Sequence, residues 1–215
     1  MINRIFIIIA ILVYVICTSC TSCNKFDFMI IDEMIIKELR KAEKSAGISE
    51  EENVIAGFND VWTHYNMREI VFDVLKINEQ HDGEEIVIIE NGLDQATNYI
   101  VIKKKNKITA YKVTFNSFSK EGLVIEEKNA NREIWIDIKD SMQKIRETTS
   151  IIRKNLPHCD SESYVIISSS GEEAFVRVAY GLQLIDSNVD EYPILSTYKK
   201  SIDNIIDVVG LQSSH

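Results

Sequence analysis

Cys17, Cys20 and Cys23 stand at steps of three in the stretch VYVICTSCTSCNK, residues 13–25. Thiols at that spacing can ligate an iron–sulfur cluster, form disulfides or carry a covalent modification. A bacterial ferredoxin run continues after its third cysteine with three residues, a fourth cysteine and a proline. Here those two places hold Asp27 and Phe28, so a four-thiolate site would need Cys159, far along the chain. The cluster also abuts an unbroken apolar run, a poor setting for a folded metal site. No metal or cofactor is expected from it.

Other groups able to do chemistry are more scattered. His64, His81, His158 and His215 include no ligand-spaced pair, and no Gly-x-Ser-x-Gly, Walker loop or His-Glu-x-x-His occurs. His158, Cys159 and Asp160 are adjacent, but consecutive residues rarely converge on one ion, and a polar loop after Pro157 explains them. Asp186-x-Asn188-x-Asp190 opens like a calcium loop, yet Glu191 and Thr197 occupy the places that need Gly and Glu. Ser168-Ser169-Ser170 reads as turn chemistry, with no base assignable. No catalytic residue is therefore named.

The apolar run itself is informative. Met1 to Arg4 supplies one positive charge, and Ile5 to Ile16 is continuously apolar, within the length of a signal-peptide core. As a helix it would cover about 18 Å, short of the ~30 Å hydrocarbon core. Small residues follow: Thr18-Ser19 before Cys20, and Thr21-Ser22 before Cys23. This arrangement resembles a bacterial lipoprotein with a type II signal peptide, whose lipobox reads aliphatic, small, small, Cys. The resemblance covers about the first 25 residues. It implies acylation of Cys20, or alternatively Cys23, and departs from the pattern by placing Cys17 or Cys20 where an aliphatic residue is usual. It further implies export and a lipid anchor in a bacterial envelope, at the outer membrane. With Cys20 acylated, Cys23 and Cys159 remain, as an envelope disulfide or as two free thiols.

Composition bounds the remainder. The chain has 215 residues with a net charge of −9, 45% apolar and 27% charged, which suits one globular domain. An acidic balance argues against nucleic acid, whose phosphates need clustered Lys and Arg. The expected organisation is a leader over 1–19, a tether over 20–28, a single domain over 29–210 and a frayed tail over 211–215.

Period and turn signals then place the elements. Ile31, Ile35 and Leu39 predict an amphipathic helix over 29–46 ended by Gly47. The acidic stretch Ser49–Glu52 opens further helix, reaching to Asn78 with a break near 57–65. Strands are expected at 86–89, 99–103, 107–115 and 123–126, the middle pair closed by Lys104-Lys105-Asn106. Residues 133–154 return to helical period through Trp135, Ile138, Met142, Ile145 and Ile152, with Arg146 on the outer side and Pro157 as the stop. A second hairpin over 164–168 and 174–184, then a helix over 195–209, complete an α+β expectation: an antiparallel sheet of hairpins with helices on one face.

Two surfaces stand out as candidates for binding. Lys103, Lys104, Lys105, Lys107 and Lys112 form the one basic cluster. It reads either as steering charge for an acidic partner or as protection of a strand edge. Trp62 and Tyr65 flank His64, as in many binding surfaces, or pack in the core. The anchor, the acidic domain and the lack of a catalytic motif together predict a non-enzymatic binding module that contacts a protein. In size, charge and leader it resembles immunity or inhibitor proteins that neutralise basic toxin domains. The other expectation is an envelope hydrolase using carboxylates such as Asp186 and Asp190.

Overall fold

A computed structural model describes residues 28–48, 61–77, 84–91, 97–116, 120–152, 163–170, 173–180 and 193–209. Cys17, Cys20, Cys23, Cys159, the Ser49–Glu52 stretch and Asp186–Asp190 lie outside these residues, as do the side chains of Trp62 and Tyr65. Helix α1 spans Phe28–Ser45, α2 Val61–Val74, α3 Arg132–Arg146 and α4 Pro193–Val209. Strands are β1 Glu84–Asn91, β2 Thr97–Lys104, β3 Lys107–Phe115, β4 Leu123–Ala130, β5 Ile151–Ile152, β6 Ser163–Ser170 and β7 Glu173–Tyr180.

They form one seven-stranded sheet in the order β4-β3-β2-β1-β6-β7-β5, antiparallel except where β5 joins β7 in parallel. The α+β class and the antiparallel hairpins are as the sequence implies. The helices, however, divide between both faces instead of one. Ile86 and Ile88 of β1 pack with α1 and α2, whereas Val87 and Ile89 pack with α3 and α4. The reason lies in β1, which sits at the centre of the sheet. Its run Ile86-Val87-Ile88-Ile89 has no polar face, so each side of the pleat must be covered. None of the helices among the described residues is long and apolar enough to cross a membrane.

Local chemistry explains most boundaries. Ile31, Ile35, Leu39 and Ala42 bury one stripe of α1. The helix ends as the Ile48 N–H donates to Glu43 O at 3.0 Å and the Gly47 N–H to Lys44 O at 3.2 Å. That pairing needs a left-handed residue, and Gly47 supplies it at φ 66°. Helix α3 begins where the Asn131 Oδ1 accepts from the Ile134 N–H at 2.9 Å.

The end of α3 departs from expectation. It stops at Arg146, well short of residue 154 and of Pro157. The Thr148 hydroxyl donates back to Ile145 O at 2.7 Å, the competition with helical bonding that Thr and Ser offer. Arg177 Nε then takes Thr148 O at 3.0 Å, and the Tyr198 hydroxyl takes Thr149 O at 2.9 Å. With those carbonyls engaged from β7 and α4, the chain turns out of the helix. Ile152 accordingly lies in β5, buried on the α1 side of the sheet.

The β2–β3 hairpin closes through Lys105, which holds φ 54°. A side chain in that region costs about 1 kcal/mol relative to Gly. Lys105→Gly is expected to raise stability by about 0.5–1 kcal/mol, read as a higher urea midpoint at unchanged slope.

Candidate functional site

On the face covered by α3, the strand ends of β1, β2 and β6 bring together side chains that are distant in sequence. Glu85 and Val87 come from β1, Lys103 from β2 and Ser168 from β6, with Lys103 opposite Glu85 and Ser168 opposite Val87. Above them, α3 presents Trp135, Lys139, Met142 and Arg146, whose spacing puts them on one stripe of the helix. All of these but Lys103, together with Gln143 and Ser169, line a groove of about 290 Å³, at the lower end of small-ligand sites.

The electrostatics of the groove centre on Glu85. Lys103 Nζ donates to its Oε1, and Lys139 Nζ lies 3.4 Å from its Oε2. Burial pushes the Glu85 carboxyl up, but the Lys103 hydrogen bond and the charges of Lys139 and Lys103 outweigh it and hold it below its ordinary value. The Lys103 ammonium also sits 5.4 Å from the centre of the Trp135 ring. Arg146 Nη2 donates to Ser168 Oγ at 3.1 Å, and its guanidinium lies 4.7 Å from the Phe175 ring. Trp135 is 5% exposed, and its indole N–H is buried with no hydrogen-bond partner.

No protein-family model matches this chain, and no curated protein or solved structure is significantly similar to it. The site is therefore read from its own geometry.

That geometry revises several expectations. The basic cluster is not a free patch. Lys103 pairs with Glu85, Lys104 with Glu84 at 2.9 Å, and Lys112 lies 3.7 Å from Glu126. Glu84 and Glu85 are correspondingly ion-paired strand residues. Lys105 and Lys107 remain exposed at the tip. Ser168 and Ser169, expected in a turn, are buried in β6 at 3% and 4% exposure. Their turn signal yields to the apolar strand Tyr164–Ile167 running into them, which pairs onward to Ala174. Arg146, expected on the outer side, is half-buried against Phe175. The legible signal was the Trp135–Lys139–Met142–Arg146 stripe, which mixes an aromatic, cations and an apolar residue on one helix face. Among the described residues, no group of three or more His, Cys, Asp or Glu could hold a metal ion.

Two further clusters serve the architecture. Arg68 of α2, 3% exposed, donates through Nε and Nη2 to both oxygens of Glu90, each at 2.7 Å. Its Nη1 donates to Asp32 Oδ1 of α1 at 2.8 Å. One guanidinium thereby fastens both helices to the central strand. At the sheet edge, the Ser150 hydroxyl donates to Glu38 Oε2 at 2.7 Å and accepts from the Val178 N–H at 3.1 Å. A cleft of about 380 Å³ opens there beside Lys41, Lys44 and Arg177.

Proposed function

We propose that this chain is an exported protein, held to a bacterial outer membrane by lipid on Cys20 (or Cys23), that works by binding a protein partner through the Trp135 groove. The leader pattern of residues 1–23 supports the anchor. The binding reading is carried by one observation: donors converge on the groove while its one lining carboxylate, Glu85, is locked in the charged form by Lys103 and Lys139. A general acid or base would instead have its pKa brought toward the working pH. Charged groups fixed in one protonation state suit recognition and orientation.

The test is made on the full chain expressed in a bacterial host with a radiolabelled fatty acid, followed by membrane fractionation and capture after crosslinking. Label and membrane retention are expected for the native chain and are lost in Cys20→Ala. Loss only in Cys23→Ala moves the anchor to that residue. No label in any form would remove the anchoring. A native chain that captures no protein from envelope extracts at any salt concentration would remove the binding role.

A further inference from the structure

We infer that the Trp135 groove binds a carboxylate carried on a short apolar stem. The inference rests on the recognition role proposed for the groove and is independent of the lipid anchor.

The charges in and around the groove leave room for one more anion. Glu85 uses both of its oxygens on Lys103 and Lys139, so one carboxylate is shared by two ammonium groups and the trio keeps one positive charge. Arg146 adds a second. Its described partners are a neutral hydroxyl and an aromatic ring, and neither carries compensating charge. A planar guanidinium with open donors is matched best by a planar oxyanion. Trp135 walls the same groove, and its indole N–H lies buried and unpartnered behind that wall. A ligand seated against Arg146 therefore changes the surroundings of that N–H without having to bond it.

The stem follows from the walls. Val87, Met142 and the Trp135 ring line the groove beside its polar groups, so a ligand that is charged throughout would leave apolar surface unmatched. A volume of about 290 Å³ limits the stem to a few carbons.

The experiment follows the Trp135 indole N–H resonance of the 15N-labelled full chain in detergent micelles, assigned with Trp135→Phe. The probes are isovalerate, its neutral isostere isovaleramide, and isobutylphosphonate. Isovalerate is expected to shift the resonance saturably, with a Kd on the order of 1 mM, a size appropriate to so small a ligand. Isovaleramide should bind about tenfold more weakly or worse, in line with loss of a charge-assisted bond. Arg146→Gln should weaken isovalerate by a similar factor. Glu85→Gln should tighten it severalfold by releasing Lys103 and Lys139, a gain that a merely structural role would not produce. Equal binding of acid and amide, or tighter binding of the phosphonate, would overturn the carboxylate assignment and leave the recognition role standing. No saturable shift with any probe would overturn the inference, and the capture experiment would then decide the recognition role separately. A short peptide ending in valine, compared with its amidated form, locates the source. Binding of the peptide acid assigns the carboxylate to a partner's chain end, and binding of isovalerate alone assigns it to a free acid; both results support the inference.

Discussion

Arg68→Met is expected to cost about 3–5 kcal/mol of folding stability, as for a buried ion pair that loses one partner. The guanidinium is 3% exposed and is held by Glu90 and Asp32 through three hydrogen bonds of 2.7–2.8 Å. Removing it strands two carboxylates between α1, α2 and β1, where water reaches them poorly. The penalty is the uncompensated charge, not the worth of the pair itself. Burial already raises the Asp32 carboxyl above its ordinary value, and the Glu90 charge adds to the shift although Arg68 opposes it. The sign of the pH dependence follows. A carboxyl whose folded value is raised binds more protons folded than unfolded, so stability falls as pH rises through that window. Without Arg68 the shift grows, and the loss should be larger at pH 7 than at pH 4.5. Urea unfolding at both values measures this. Adding Glu90→Gln and Asp32→Asn to Arg68→Met should recover much of the loss, since it removes the stranded charge. A loss below about 1 kcal/mol at pH 7 would mean that the cluster is solvated after all.

Tyr198→Ala is expected to cost about 3–5 kcal/mol, as for other large buried aromatics. Its ring is fully buried among the α3–α4 core residues. Its hydroxyl donates to Thr149 O at 2.9 Å, tying α4 to the segment that carries the chain from α3 into β5. Tyr198→Phe keeps the ring and leaves that carbonyl without its donor, for a loss of about 1–2 kcal/mol. Burial pushes the phenol up to about 12. The neutral form is therefore the folded form, so its contribution is fully present below pH 10 and disappears as pH rises from 10 toward 12. The size is about 2–3 kcal/mol. Burial also raises Tyr99 and Tyr111, so the diagnostic quantity is the difference between native and Tyr198→Phe profiles. That difference should shrink across the same interval and change sign, since the alkaline loss exceeds the worth of the hydrogen bond. A constant difference up to pH 12 would place the alkaline loss elsewhere.

The elements themselves were largely legible in the sequence, and the particular failures show why. Helix α1 and the β2–β3 hairpin depend on period, on Gly47 and on a short polar turn, all of which act within a few residues. The run Ile86–Ile89 was legible as a strand, but its lack of alternation carried a second message, that both faces are covered. Antiparallel hairpins more often leave one face wet, and that general tendency prevailed over the specific residues. The overextended α3 failed for a different reason. Thr148, Thr149 and Ser150 weaken a helix only mildly on their own. What ended it was the capture of their backbone and hydroxyl groups by Arg177, Tyr198 and Glu38.

By itself, the sequence determined the apolar N-terminal run with its cysteines, the acidic balance, the α+β class and the residues able to form each strand and helix. Tertiary structure alone decided which charges are paired. Arg68 reaches Glu90 across 22 residues, Ser150 reaches Glu38 across 112, and Arg177 reaches Glu38 across 139. It also decided that Lys139 and Arg146 share a groove with the Trp135 ring and that Lys103 pairs with the groove's Glu85. Periodicity reports which side of an element is apolar, because that pattern repeats along one segment. Whether a charge is solvated, neutralised or poised for a ligand depends on what the folded chain lays against it, and no local pattern encodes that neighbour.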